Sequence, residues 1–162
     1  MWGKVERDGA RWAGRRGYVE SFLGEHGVRL DDKGRLFLPS RWRPEFTEGL
    51  VITKGQERCL YVFTEQEFRV ASDAIDSAPI TSRRDRTYSR FFHASAFDQK
   101  PDRQGRVLVP ATLREYASLD RDCTILGLKR RLEIWDTAAW QAFQDAEEAS
   151  YADRDDDAEV SR

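Results

Sequence analysis

An internal duplication constrains this chain more than any other feature. Asp31-Asp32-Lys33-Gly34-Arg35-Leu36-Phe37-Leu38-Pro39, followed by Arg43, returns as Asp102-Arg103-Gln104-Gly105-Arg106-Val107-Leu108-Val109-Pro110, followed by Arg114. The aspartate, the glycine, the proline and both arginines keep one offset of 71 residues. After a one-residue slip, Gly55, Leu60, Val62, Phe63 and Phe68 correspond to Gly127, Leu132, Ile134, Trp135 and Trp140. A chain that repeats a whole ordered series is built from two like units. With 162 residues in all, each unit is small. A domain of roughly 60 residues buries only about 60% of its unfolded surface, so the halves gain by packing on each other or on further copies.

Each unit reads as strand, turn, strand, short helix, strand, strand, helix. Residues 24–30 approach the first motif as a strand, and Asp31 to Gly34 form its turn. Aspartate bonds nearby backbone N–H groups, and glycine supplies the positive φ that a tight turn requires. Leu36-Phe37-Leu38 and Val107-Leu108-Val109 are apolar at every position. That predicts strands buried on both faces, interlocked with a partner copy. Pro39 and Pro110 end these strands and suit the start of a helix. Pro44 predicts that the first short helix is shorter or broken. Residues 50–54 with 59–63, and 122–126 with 131–135, read as hairpins. Residues 64–77 and 136–149 read as amphipathic helices, and the charged run 83–92 as a further helix between the halves.

The organisation read from this is an extension at 1–20, expected to be disordered or loosely ordered, and a first repeat at 24–67. A helical linker at 68–94, a second repeat at 95–138, a C-terminal helix at 139–149 and an acidic disordered tail at 150–162 follow.

The formal net charge is −2, but its distribution matters more than its sum. Residues 145–162 hold eight of the 29 acids and two of the 27 bases. Residues 1–144 therefore carry 25 bases against 21 acids, a mildly basic body behind an acidic tail. Cys59 and Cys123 lie in apolar runs and read as small core residues rather than a disulfide or zinc pair. No nucleophile–base grouping, phosphate loop, metal cluster or cofactor motif stands out, so an enzyme is not expected. No apolar run approaches the roughly 20 residues of a membrane helix. A cytoplasmic protein with no cofactor, no small-molecule substrate and no membrane contact is the expectation.

The paired Asp-Asp-Lys-Gly-Arg and Asp-Arg-Gln-Gly-Arg motifs, with Phe22-Leu23-Gly24-Glu25 upstream and Leu132-Glu133-Ile134-Trp135-Asp136 near the end, resemble the MraZ family over about residues 21–145. The resemblance implies an α+β, mostly β fold: a duplicated AbrB/MraZ-like swapped-hairpin β-barrel with short helices. It implies a bacterial transcription regulator of the division and cell-wall gene cluster. Such a protein assembles as a closed homo-oligomeric ring and reads short direct repeats in double-stranded promoter DNA. By the family pattern Asp31, Gly34 and Arg35, with Asp102, Gly105 and Arg106, form the DNA-facing motif.

Residue chemistry agrees. The planar fork of arginine suits phosphate and the O6/N7 edge of guanine. Lys33, Arg29, Arg41 and Arg43 lie close to the first motif in sequence, and Lys100, Arg103 and Arg114 to the second, as further candidate contacts. Asp31 and Asp102 would repel phosphate, so their expected part is turn geometry and orientation of the neighbouring arginine. A turn staple between each Asp and Arg can coexist with DNA contact. The competing expectation is a protein-interaction ring with no direct DNA readout.

Overall fold

The computed structural model describes residues 22–153. The extension at 1–20 and the tail from 154 onward lie outside the described residues. The described residues form eight strands: β1 Phe22–Arg29, β2 Arg35–Phe37, β3 Leu50–Lys54, β4 Leu60–Thr64, β5 Phe97–Gln99, β6 Arg106–Leu108, β7 Asp122–Lys129 and β8 Arg131–Asp136. Four helices accompany them: α1 Glu65–Asp76, α2 Arg83–Ala94, α3 Ala111–Tyr116 and α4 Thr137–Ala152. Pro44 has the predicted effect. Where the second repeat makes helix α3, the first makes only a 3-10 turn over Arg43–Phe46.

The two repeats are not side-by-side units; they exchange strands. The larger sheet runs β1-β7-β8-β4-β3-β5, all neighbours antiparallel, and β2 pairs with β6 in a separate two-stranded ribbon. The first strand of each repeat thus pairs with the third strand of the other: β1 with β7, and β5 with β3. The registers obey a local two-fold relation. In the ribbon Leu36 faces Val107, with Arg35 opposite Leu108 and Phe37 opposite Arg106. In the sheet Leu60 faces Ile134 and Val62 faces Leu132; since Leu60 corresponds to Leu132 and Val62 to Ile134, the duplication exchanges the two pairs. The interlocking expected with a partner copy is therefore made with the other repeat of the same chain.

This exchange produces one shared core. Leu36, Leu38, Val107 and Val109 from the ribbon meet Ile52, Leu60, Ile125 and Ile134 from the sheet, all essentially buried. Phe22 stacks on Phe46 at 5.4 Å between centroids and meets the edge of Trp42. Each repeat then turns from its last strand into a helix through a side-chain cap. Thr64 accepts from the Glu67 N–H, and Asp136 accepts from the Ala139 N–H, satisfying N–H groups that a helix start leaves without an internal partner.

Four expectations need correction. The α+β class stands, but the strands form an open six-stranded sheet and a ribbon rather than a closed barrel. Helix takes more of the described chain than strand, because α4 runs 16 residues and α1 and α2 run 12 each. Residues 150–152, expected in a disordered tail, are the last residues of α4. Finally, the ribbon strands are not buried on both faces. Leu36 and Val107 are 1% exposed, whereas Phe37 and Leu108 are 47% and 38% exposed. A two-stranded ribbon lying on a sheet has one covered side, and the period of two sends every second residue to the other. Cys59 and Cys123 are buried free thiols as expected, and burial pushes the Cys123 thiol up to about 12.

Candidate nucleic-acid interface

The two motif turns have the same bonding to within 0.2 Å. In the first, the Asp31 carboxylate accepts from the backbone N–H of Lys33 and of Arg35, each at 2.9 Å, and from Arg35 Nε at 2.9 Å. In the second, Asp102 accepts from the N–H of Gln104 and of Arg106, each at 2.9 Å, and from Arg106 Nε at 2.7 Å. The backbone closes each turn, with Gly34 N–H on Asp31 O and Gly105 N–H on Asp102 O. The Asp–Arg staple weighed from sequence is thus present in both copies. It uses only Nε. The terminal nitrogens of Arg35 and Arg106 have no protein partner among the described residues, and these side chains are 29% and 25% exposed.

These bonds hold both carboxyls below the ordinary value of 3.8: for Asp31 the backbone N–H of Arg35 contributes most, and for Asp102 that of Arg106. Opposing desolvation is outweighed. A folded-state value below the unfolded one stabilises the turn above pH 3.8, and the contribution is lost as pH falls through the lowered value. In an NMR pH titration, the two carboxyl carbons are expected to titrate below 3.8. Titration of either at or above 3.8 would contradict the bonding described.

The second arginine of each motif has a different place. Arg43 Nε donates to Leu38 O at 2.7 Å and lies against Gly105 of the other repeat. Arg114 Nη1 donates to Val109 O at 2.7 Å and occupies the space a Cβ on Gly34 would need. Each half-buried guanidinium ties its own strand end beneath the turn of the other repeat. Both glycines also have positive φ, +78° and +82°. The glycine therefore answers two demands at once, backbone conformation and close approach of a neighbouring side chain.

Lys33, Arg103 and Arg41 are exposed, with the Arg41 guanidinium 5.5 Å from the Trp42 ring. Arg29 is exposed and 3.4 Å from Asp122, a surface pair of small energetic weight. Sequence reading missed Arg121, which the β1–β7 pairing carries to the first turn, 3.8 Å from Asp32. Nothing local marks it; in sequence it lies 15 residues after Arg106. Sequence reading also missed Phe37 and Leu108 as surface residues.

Two like units that exchange strands within one chain, and present a two-fold pair of Asp–Arg turns, define a duplicated swapped-hairpin protein. A family model described as "MraZ protein, putative antitoxin-like" matches residues 21–91 and again 92–161. The chain belongs to the MraZ family of transcriptional regulators. It is similar to the transcriptional regulator MraZ of Frankia alni, 55% identical over 132 residues that make up 82% of this chain and 92% of that protein. The MraZ of Thermobifida fusca is 52% identical over 132 residues, 82% of this chain and 92% of that one. That of Micrococcus luteus is 50% identical over 136 residues, 84% and 95% of the two chains. Among the described residues no helix is long and apolar enough to cross a membrane.

Proposed function

We propose that this chain binds double-stranded promoter DNA in a sequence-specific way. In this reading it meets short direct repeats through its two Asp-x-x-Gly-Arg turns, in the manner of a MraZ-type regulator of a division and cell-wall gene cluster. One observation carries the reading: two turns hold Arg35 and Arg106 by Nε, while their paired Nη donors have no partner among the described residues. Spare, parallel donors on a fixed scaffold suit a phosphate or a guanine edge. Lys33, Arg103, Arg41 and Arg29 supply phosphate contacts around them, and such contacts set orientation while base contacts set sequence. Asp31 and Asp102 orient the arginines. Arg43 and Arg114 position the turns from beneath rather than touching DNA.

Assembly into a closed ring of copies completes the proposal. Several modules on one duplex raise avidity by about 10²–10⁴ where their spacing matches the repeats. Leu23 and Leu128, opposite each other on β1 and β7 and both exposed, offer apolar surface for contact between copies.

The test is binding of the purified protein to the region upstream of its own gene across a salt series. Counterion release predicts a slope near −0.9 per phosphate neutralised. Four phosphates would lower affinity by about two orders of magnitude between 50 and 200 mM salt. Binding that ignores salt would favour the protein-interaction ring instead.

A further inference from the structure

The outward face of the β2–β6 ribbon is not merely basic. Residues opposite one another, and residues two apart, share a face. Arg35, Phe37, Arg106 and Leu108 therefore all project outward, away from the buried Leu36 and Val107. Arg35 faces Leu108, Phe37 faces Arg106, and the two arginines are diagonal neighbours, about 7–8 Å apart at the backbone. The result is a two-fold tile of alternating guanidinium and apolar groups.

Neither apolar side chain is a loose surface residue. The Arg43 guanidinium lies 5.6 Å from the Phe37 ring centroid, and Arg43 is itself anchored on Leu38 O. Leu108 is held by Gln99 at both its backbone groups, donating to Oε1 at 2.8 Å and accepting from Nε2 at 2.7 Å. Both side chains are thus presented on a fixed backbone, as a recognition surface requires.

Phosphate contact gives no use for a phenyl ring and an isobutyl group between two arginines. The major groove does. It is about 12 Å wide and admits a two-stranded β-ribbon, and the apolar group on its base edges is the C5-methyl of thymine. Resting on the DNA-binding reading above, we infer that Phe37 and Leu108 are specificity-determining residues. They enter the major groove with Arg35 and Arg106 and read thymine methyl groups beside the guanines that the arginines meet.

The experiment changes only those methyls. The duplex upstream of this protein's gene is amplified once with dTTP and once with dUTP. Both products are titrated by fluorescence anisotropy at one salt concentration, with the native protein and with the double variant Phe37→Ala/Leu108→Ala. The native protein is expected to prefer the thymine duplex by about fourfold for each methyl covered, the equivalent of about 0.8 kcal/mol per group. The double variant is expected to bind both duplexes equally, with an unchanged salt slope because no charge is removed.

Equal affinity of the native protein for the two duplexes overturns the assignment, and that comparison does not depend on a variant folding. A preference that persists in the double variant also overturns it, since the methyls would then act through DNA shape. A variant that changes oligomeric size yet keeps the methyl preference places these side chains between copies and has the same consequence. Failure of the native protein to bind either duplex sinks the DNA-binding reading itself, and the assignment with it.

Discussion

Replacing Arg35 and Arg106 together by alanine is expected to lower affinity for the promoter duplex by on the order of 10²–10⁴, with melting temperature and oligomeric size nearly unchanged. The binding loss follows from the donors removed. A well-formed bidentate arginine contact carries about 1–3 kcal/mol of discrimination, and the two turns supply one such side chain each. The small structural cost follows from what remains. Asp31 keeps the N–H bonds from Lys33 and residue 35, and Asp102 keeps those from Gln104 and residue 106. Only an exposed side-chain pair is lost from each turn, and such pairs add little to stability. A paired lysine variant separates reading from positioning. Arg35→Lys/Arg106→Lys keeps the charge, and so the salt slope, but loses the planar fork. It should bind unrelated duplex about as well as the native protein while losing preference for its own promoter. Anisotropy titrations on both duplexes would measure this, and native affinity in the alanine pair would remove these arginines from the interface.

Much of this arrangement was legible in the sequence, for a physical reason. The duplication, both turns, both hairpins and the helices are local patterns: an Asp and a Gly at fixed spacing, apolar runs of strand length, a 3.6-residue period. Pairing partners are not local. The apolar pattern of β1 is the same whether it pairs within its own repeat or with β7, so the strand's own residues did not name its partner, and only the family resemblance implied an exchange. The tripeptides Leu36-Phe37-Leu38 and Val107-Leu108-Val109 are apolar throughout and carry no alternation, so no pattern said which side faced solvent. Arg43 and Arg114 read as surface bases because arginine beyond a strand end usually is one. Their inward role depends on a glycine of the other repeat. Arg121 reaches the first turn only through the exchanged β1–β7 pairing, and the buried Glu67 finds Arg130 at 2.8 Å across the two repeats beside the β4–β8 pairing.

Those cross-repeat contacts imply a large effect at a residue that carries no side chain. Gly34→Ala is expected to destabilise the protein by about 2–4 kcal/mol, combining left-handed strain of about 1–2 kcal/mol with loss of a charge-assisted bond. The backbone at Gly34 has φ +78°, and the new methyl would fall on the Arg114 guanidinium, displacing it from Val109 O. For a chain of this size that is a fall in melting temperature of about 5–15 °C. Gly105→Ala provides an internal comparison. Its φ is nearly the same at +82°, but the nearest atoms, Arg43 Cδ and Nε, lie at 3.0 Å and can give way. The difference between the two variants therefore isolates the collision from the backbone strain. Gly27→Ala, in open space on β1 with no positive φ, should stay within about 0.5 kcal/mol of the native protein. Adding Arg114→Ala to Gly34→Ala should cost less than the sum of the two single changes, because the residues share one space. Calorimetric melts of these variants test the order. If Gly34→Ala melts like Gly27→Ala, the glycine is not the seat of the opposite repeat's arginine, and the tie between the two halves must be sought elsewhere.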